Sequence, residues 1–145
     1  MAFPRLEHVG IVVGDLAAAK AFFAELGLEV EGEMTIEGPA VDRITGVAGG
    51  RSEVAMLRTP DGHGALELIR YLAPAGPDGD PGAPANTPGI RHILFEVQDI
   101  EDVLHRLRPH GAELVGELVQ YEDSFRLCYV RGPEGIIVEL AERVG

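Results

Sequence analysis

The chain states one pattern twice. His8-Val9, followed by Val13-Gly14-Asp15-Leu16, returns 84 residues later as His92-Ile93, followed by Val97-Gln98-Asp99-Ile100. The offset still holds at Gly27 and Gly111, and it pairs Val30 with Leu114. Each copy closes on a turn and a strand bearing an acid: Thr59-Pro60-Asp61-Gly62 leads to Leu66-Glu67-Leu68, and Gly132-Pro133-Glu134-Gly135 leads to Val138-Glu139-Leu140. Internal repetition at this scale means one supersecondary unit used more than once. One copy, at roughly 60 to 70 residues, would be marginal by itself. The 145-residue chain is therefore expected to fold as one domain with a core shared by both copies.

Local patterns give each copy the same order of elements. His8 to Val13 is rich in β-branched residues and ends at Gly14, as a strand does. Asp15 follows as a helix N-cap, Leu16, Ala19, Phe22, Phe23 and Leu26 recur at helical spacing, and Gly27 stands where a helix stops. The second copy repeats this with a strand to Val97, the cap Asp99, then Ile100, Val103, Leu104 and Leu107, closed by Pro109 and Gly111. Further strands are expected at Glu29–Ile36, Glu53–Arg58 and Ala65–Ile69, and at Glu113–Gln120, Phe125–Val130 and Ile136–Leu140. The fold class is thus α+β, two tandem βαβββ modules spanning residues 1–71 and 90–145. Gly38 to Gly50 interrupts the first copy alone, with a helical turn expected at Val41–Thr45. Residues 72–89 hold five of the ten prolines and four glycines, and read as a linker stretched over the surface.

Composition removes several function classes. A formal charge of −12 argues against nucleic acid and anionic membranes, which require clustered positive charge. Eleven of the twelve basic residues are arginine, whose planar fork could still hold an anionic group locally. No apolar run approaches 18 residues, and the start Met1-Ala2-Phe3-Pro4-Arg5 lacks a basic segment followed by an apolar one, so neither a spanning helix nor a secretory leader is expected. The single cysteine, Cys128, has no partner for an internal disulfide, which suits a reducing cytoplasm.

The repeat also duplicates chemistry. A lone histidine on an apolar strand is ordinarily a packed residue, and that applies to His8 or His92 taken singly. The acids are less ordinary. Period-two alternation sets Glu67 opposite Leu66 and Leu68, and Glu139 opposite Val138 and Leu140, on faces shared with Ala65 and Ile69 or with Ile137. An unpaired carboxylate on an apolar face costs several kcal/mol, and metal coordination is one way to offset that. Two His and two Glu at repeat-related positions form the ligand chemistry of a divalent cation. His63 sits in a turn, and His105 and His110 fall on or after the second helix. Cys128 has no repeat partner and reads as a small buried residue.

With these residues in view, the sequence resembles the vicinal oxygen chelate superfamily, which includes glyoxalase I, methylmalonyl-CoA epimerase, extradiol dioxygenases, fosfomycin-inactivating enzymes and bleomycin-resistance proteins. The resemblance rests on Leu6-Glu7-His8-Val9-Gly10 and Ile90-Arg91-His92-Ile93, on Leu66-Glu67-Leu68, and on Tyr129 to Gly135 leading through Val138-Glu139-Leu140. It implies paired modules forming a curved, barrel-like sheet around a metal-binding cup, with His8, Glu67, His92 and Glu139 as ligands. The metal would be Ni, Co, Zn or Mn, all compatible with a mixed nitrogen and oxygen set. The ligand order is that of bacterial glyoxalase I and is similar to that of methylmalonyl-CoA epimerase, which commonly has Gln at the position of Glu67. The stretch from Gly38 to Gly50 and the Pro-rich linker depart from glyoxalase I.

The activity so implied is that of an isomerase or carbon–sulfur lyase stabilising an enediolate or enolate while Glu139 or Glu67 moves a proton next to a carbonyl. A small-molecule substrate, in the form of a thiol or CoA conjugate, and a homodimer are expected with it. A drug- or natural-product-binding resistance protein is the alternative from another class. An Fe(II) extradiol-type dioxygenase is a third, disfavoured by the fourth ligand.

Overall fold

In the computed structural model, described over residues 4–145, the chain divides into two compact units, Met1–Asp78 and Gly79–Gly145. The opening residues 1–3, part of the start read above for a leader, lie outside the described residues. No helix among the described residues is long and apolar enough to cross a membrane.

The first unit runs β1 (Val9–Val12), α1 (Leu16–Leu26), β2 (Glu29–Glu37), α2 (Pro39–Thr45), β3 (Arg51–Arg58) and β4 (Ala65–Ala73). Its four strands form one open sheet in the order β1-β4-β3-β2, with β1 parallel to β4 and the other pairs antiparallel. Helix α1 starts where Asp15 accepts a hydrogen bond from the Ala18 amide at 3.0 Å. It stops at Gly27, whose φ of 130° a side chain would resist. Phe22 and Phe23 are consecutive and both fully buried, their rings edge to face with centroids 5.1 Å apart. Both can be inside because the helix lies on the sheet with a wide apolar stripe. Ala55, Leu57, Leu66 and Leu68, also buried, supply the sheet side of that contact. Each phenylalanine contributes about 1.5–3 kcal/mol through burial.

The second unit runs β5 (His92–Val97), α3 (Ile100–Leu107), β6 (Glu113–Leu114), β7 (Val119–Tyr121), β8 (Phe125–Arg131) and β9 (Ile137–Arg143). The sheet order is β5-β9-β8-β6, with β7 also paired to β8. Asp99 caps α3 as Asp15 caps α1, accepting from the Asp102 amide at 3.1 Å, and the Glu142 carboxylate takes the Ile100 amide at 2.9 Å. Ile100, Val103, Leu104 and Leu107 are buried, as are Cys128, Val130, Val138 and Leu140 on one face of β8 and β9.

Three expectations shift. The strand at Glu113–Gln120 is broken in two: Leu114 pairs with Val130 and Val119 with Leu127, so the four residues between them on one side answer two on the other. The surplus lies at Gly116 to Leu118, which leaves the ladder between β6 and β7. The helical turn around Val41 begins earlier, at Pro39, a residue suited to the first turn of a helix. Strand β4 runs on to Ala73, still paired with Arg51, into the stretch read as linker.

Part of that stretch is strapped to the second unit. The Arg131 guanidinium donates to the carbonyls of Pro81 at 3.0 Å, Ala83 at 2.9 Å and Gly135 at 3.1 Å. Ala83 is buried. Gly135, at φ +83°, lies so close beneath Pro81 that an added Cβ would collide with the proline's carbonyl oxygen and come within 2.5 Å of its Cα.

Candidate functional site

Both acids are fixed by the same register. In the first unit Gly10 of β1 pairs with Glu67 of β4, and in the second Leu94 of β5 pairs with Glu139 of β9. Gly10 and Leu94 are themselves related by the 84-residue offset. Each acid therefore sits on a central strand, flanked on both sides by backbone ladder. Its side chain leaves the face opposite the helix, because Leu66, Leu68, Val138 and Leu140 take the helix side.

The histidines precede Gly10 and Leu94 by two residues, which alternation places on the same face as the acids. His92 opens β5, and its Nε2 lies 3.2 Å from Glu139 Oε1. Its ring also meets that of Tyr129, with centroids 4.8 Å apart. Tyr129 is in turn the cross-strand partner of Glu139. The second module thus brings its expected His and Glu together directly.

The first module is arranged differently. His8 lies one residue ahead of β1, and its Nδ1 pairs with the Glu7 carboxylate. Glu7 also accepts from Arg58 Nη2 at 3.1 Å, and Arg58 Nε donates to Glu31 at 2.8 Å. The His8 hydrogen bond first, and the Arg58 guanidinium second, hold Glu7 below the usual carboxylate range. A carboxylate on Nδ1 fixes the imidazole tautomer and leaves Nε2 free to act as a ligand. Sequence reasoning missed Glu7 and Arg58. The only available signal was an acid next to a candidate ligand, and Arg58 reaches it because β3 ends at the same end of the sheet where β1 begins, across the first residues of β4.

Each module offers one imidazole and one carboxylate on one face. Among the described residues no group of three or more His, Cys, Asp and Glu is gathered closely enough to hold a metal ion. The donor set, imidazole nitrogen with carboxylate oxygen, matches in kind what a borderline divalent cation accepts.

Glu139 opens on a cavity of about 360 Å³ in the second unit. Val115, Val119, Leu127 and Tyr129 line it, with Glu117 at its rim in the looped-out segment. Val119 is 56 % exposed, so this apolar wall faces solvent. A second cavity of about 400 Å³ lies in the first unit beside α1, near the Lys20–Glu33 ion pair, and neither His8 nor Glu67 lines it. Burial pushes the Cys128 thiol up to about 11, which makes it a poor nucleophile near neutral pH.

Comparison with known proteins places this geometry. The family model described as Glyoxalase/Bleomycin resistance protein/Dioxygenase superfamily matches residues 5–140. The uncharacterized protein YaeR of Escherichia coli K12 is 26 % identical over 140 residues, covering 96 % of each chain. A crystal structure of a glyoxalase family protein from Bacillus cereus is 48 % identical, with a TM-score of 0.95, covering 99 % of this chain and 96 % of that one. A mutant of the fosfomycin resistance protein FosX from Listeria monocytogenes, solved with Mn(II) and a dihydroxypropylphosphonic acid, shares the fold at 15 % identity and a TM-score of 0.62, with 95 % and 89 % coverage.

Proposed function

This chain belongs to the glyoxalase/bleomycin resistance protein/dioxygenase superfamily, and from that premise we propose that it is a divalent-metal-dependent isomerase or lyase that moves a proton next to a carbonyl. His8, Glu67, His92 and Glu139 are the residues that would hold the cation. When bound, it would supply positive charge beside the substrate's oxygens and so stabilise the negative charge that develops as a neighbouring carbon loses its proton.

The observation that carries the reading is the common register: the same strand pairing fixes both acids, and His92 Nε2 stands 3.2 Å from Glu139. Glu139 is the acid we assign to proton transfer. It is 16 % exposed, it lines the cavity, and its orientation is braced by His92 and Tyr129. A carbon seated in that cavity can give its proton to a Glu139 oxygen, and the adjacent carbon can take that proton back from the same side. Glu67 lies over Gly10, where the absent side chain leaves room around its Oε1. Its assigned role is to hold the cation.

Metal analysis of purified protein, followed by deuterium uptake from D2O into 2-oxoaldehyde hemithioacetals and acyl thioesters, tests the proposal. Metal-dependent exchange is the expected result. Metal-independent binding of a compound that is returned unchanged would instead favour the drug-binding reading, to which the apolar cavity wall lends its one supporting observation.

A further inference from the structure

We propose that Glu7 and Arg58 are positioning residues that hold His8 in one tautomer, so that the first module presents a preset imidazole and the second does not. The inference rests on the reading of His8 as a cation ligand and says how that ligand is prepared. Glu7 meets His8 at Nδ1. An ionised carboxylate only accepts, so the neutral ring carries its proton on Nδ1 and leaves the Nε2 lone pair open. Glu7 is itself held: Arg58, with 23 % side-chain exposure, forks between Glu7 at 3.1 Å and Glu31 at 2.8 Å. A guanidinium bridging two carboxylates fixes both in direction.

The second module has the same positions but uses them differently. Arg58 stands across the ladder from Glu29, and Arg131 stands across from Glu113, 84 residues after Glu29, so the two arginines are register equivalents. Arg131 turns instead to the carbonyls of Pro81, Ala83 and Gly135. The counterpart of Glu7 is Arg91, a donor, which cannot accept from a ring N–H. Its Nε is buried with no hydrogen-bond partner. Among the described residues nothing hydrogen-bonds His92 Nδ1. That ring is placed by Tyr129, with centroids 4.8 Å apart, and by Glu139, 3.2 Å from the other nitrogen, Nε2. Two histidines that the repeat makes equivalent are therefore prepared differently.

Imidazole nitrogen–proton correlation NMR of the metal-free protein, in mildly alkaline solution, reads each tautomer directly. His8 should be the Nδ1–H form in the wild type and in Glu7→Gln, whose amide oxygen still accepts. In Glu7→Ala it should revert to the Nε2–H form that unconstrained histidines favour. Calorimetric titration with Co(II) adds a second readout. Glu7→Ala should weaken binding about 10–100-fold, the usual cost of removing such a partner. Glu7→Gln should keep most of the affinity, Arg58→Met should fall between the wild type and Glu7→Ala, and Arg91→Ala should not weaken binding. An Nε2–H His8 in the wild type would overturn the inference, as would undiminished binding by Glu7→Ala. Equal losses in Glu7→Ala and Glu7→Gln would also overturn it, by assigning the effect to charge alone. A wild type that shows Nδ1–H at His8 but binds no Co(II) would remove the proposed function and leave the tautomer assignment standing. The reverse pattern would do the opposite.

Discussion

Gly135→Ala is the substitution whose cost the structure lets one apportion. Two effects act at this position. At φ +83° an alanine pays about 1–2 kcal/mol for a left-handed backbone. Its Cβ would also strike Pro81 backbone, 2.5 Å from the Cα and 2.6 Å from the carbonyl carbon, and backbone cannot rotate away as a side-chain tip can. Pro81 must therefore lift, and the Arg131 hydrogen bonds to Pro81 and Ala83 loosen with it. Hydrogen bonds to a charged group are worth about 1.5–3 kcal/mol each. Partial exposure and retention of the Gly135 carbonyl contact bring the expected loss from the strap to about 2 kcal/mol in all. The total is about 3–4 kcal/mol.

Gly62→Ala is the matched control. Gly62 has φ +79° and nothing within 4 Å of the added Cβ, so only the backbone effect remains. Urea unfolding followed by circular dichroism should separate the two variants by about 2 kcal/mol with an unchanged slope. Arg131→Met should cost little more in the Gly135→Ala background, because the strap is already loose there. Equal stabilities for the two alanine variants, or full additivity of Gly135→Ala with Arg131→Met, would refute the argument.

Glu139→Gln should keep the metal through its amide oxygen yet lose about 10²–10⁴-fold in turnover, the usual range for acid–base catalysis; Glu67→Gln should lose far less, and full activity of metal-loaded Glu139→Gln would reverse the assignment. Cys128 should resist iodoacetamide at pH 8 in the native protein and react readily in urea, as mass spectrometry can show. Because its folded pKa, about 11, exceeds the ordinary thiol value of 9.0, its contribution to stability is complete below pH 9 and declines as pH rises from 9 to about 11. Each sheet ends on edge strands, β1 and β2 in one and β5 and the β6/β7 pair in the other, which association can cover. Light scattering at micromolar concentration should accordingly give twice the 15.5 kDa chain mass, and a monomer would count against the expected homodimer.

What could be read from the sequence was whatever the repeat states twice. Asp15 and Asp99 cap their helices through bonds of 3.0 and 3.1 Å, and Gly27 and Gly111 both take positive φ. The pairing of Gly10 with Glu67 recurs as Leu94 with Glu139. These features depend on local chemistry or on alternation, and both are written in residue order. What stayed hidden depends on partners distant in the chain. Arg131 meets Pro81 and Ala83 about 50 positions away, and Arg58 reaches Glu7. Hydropathy alone also continues β6 through Val115 toward Val119, since nothing apolar or polar marks where a ladder loses step; only the register with β8 shows it.

The broken strand has a consequence for how such a protein could change. Glu139 is locked into the middle of a sheet, whereas only part of the wall it faces, Leu127 and Tyr129, stands on β8; the rest, Val115 to Glu117 and Val119, comes from the segment after β6 and from β7, which pairs with β8 alone. Insertions or exchanges between Val115 and Tyr121 would redraw the pocket without disturbing the position of the acid. Selection acting on this short edge could therefore alter what the protein accepts while inheriting its chemistry intact, and randomised libraries confined to those positions are where new specificities should be sought first.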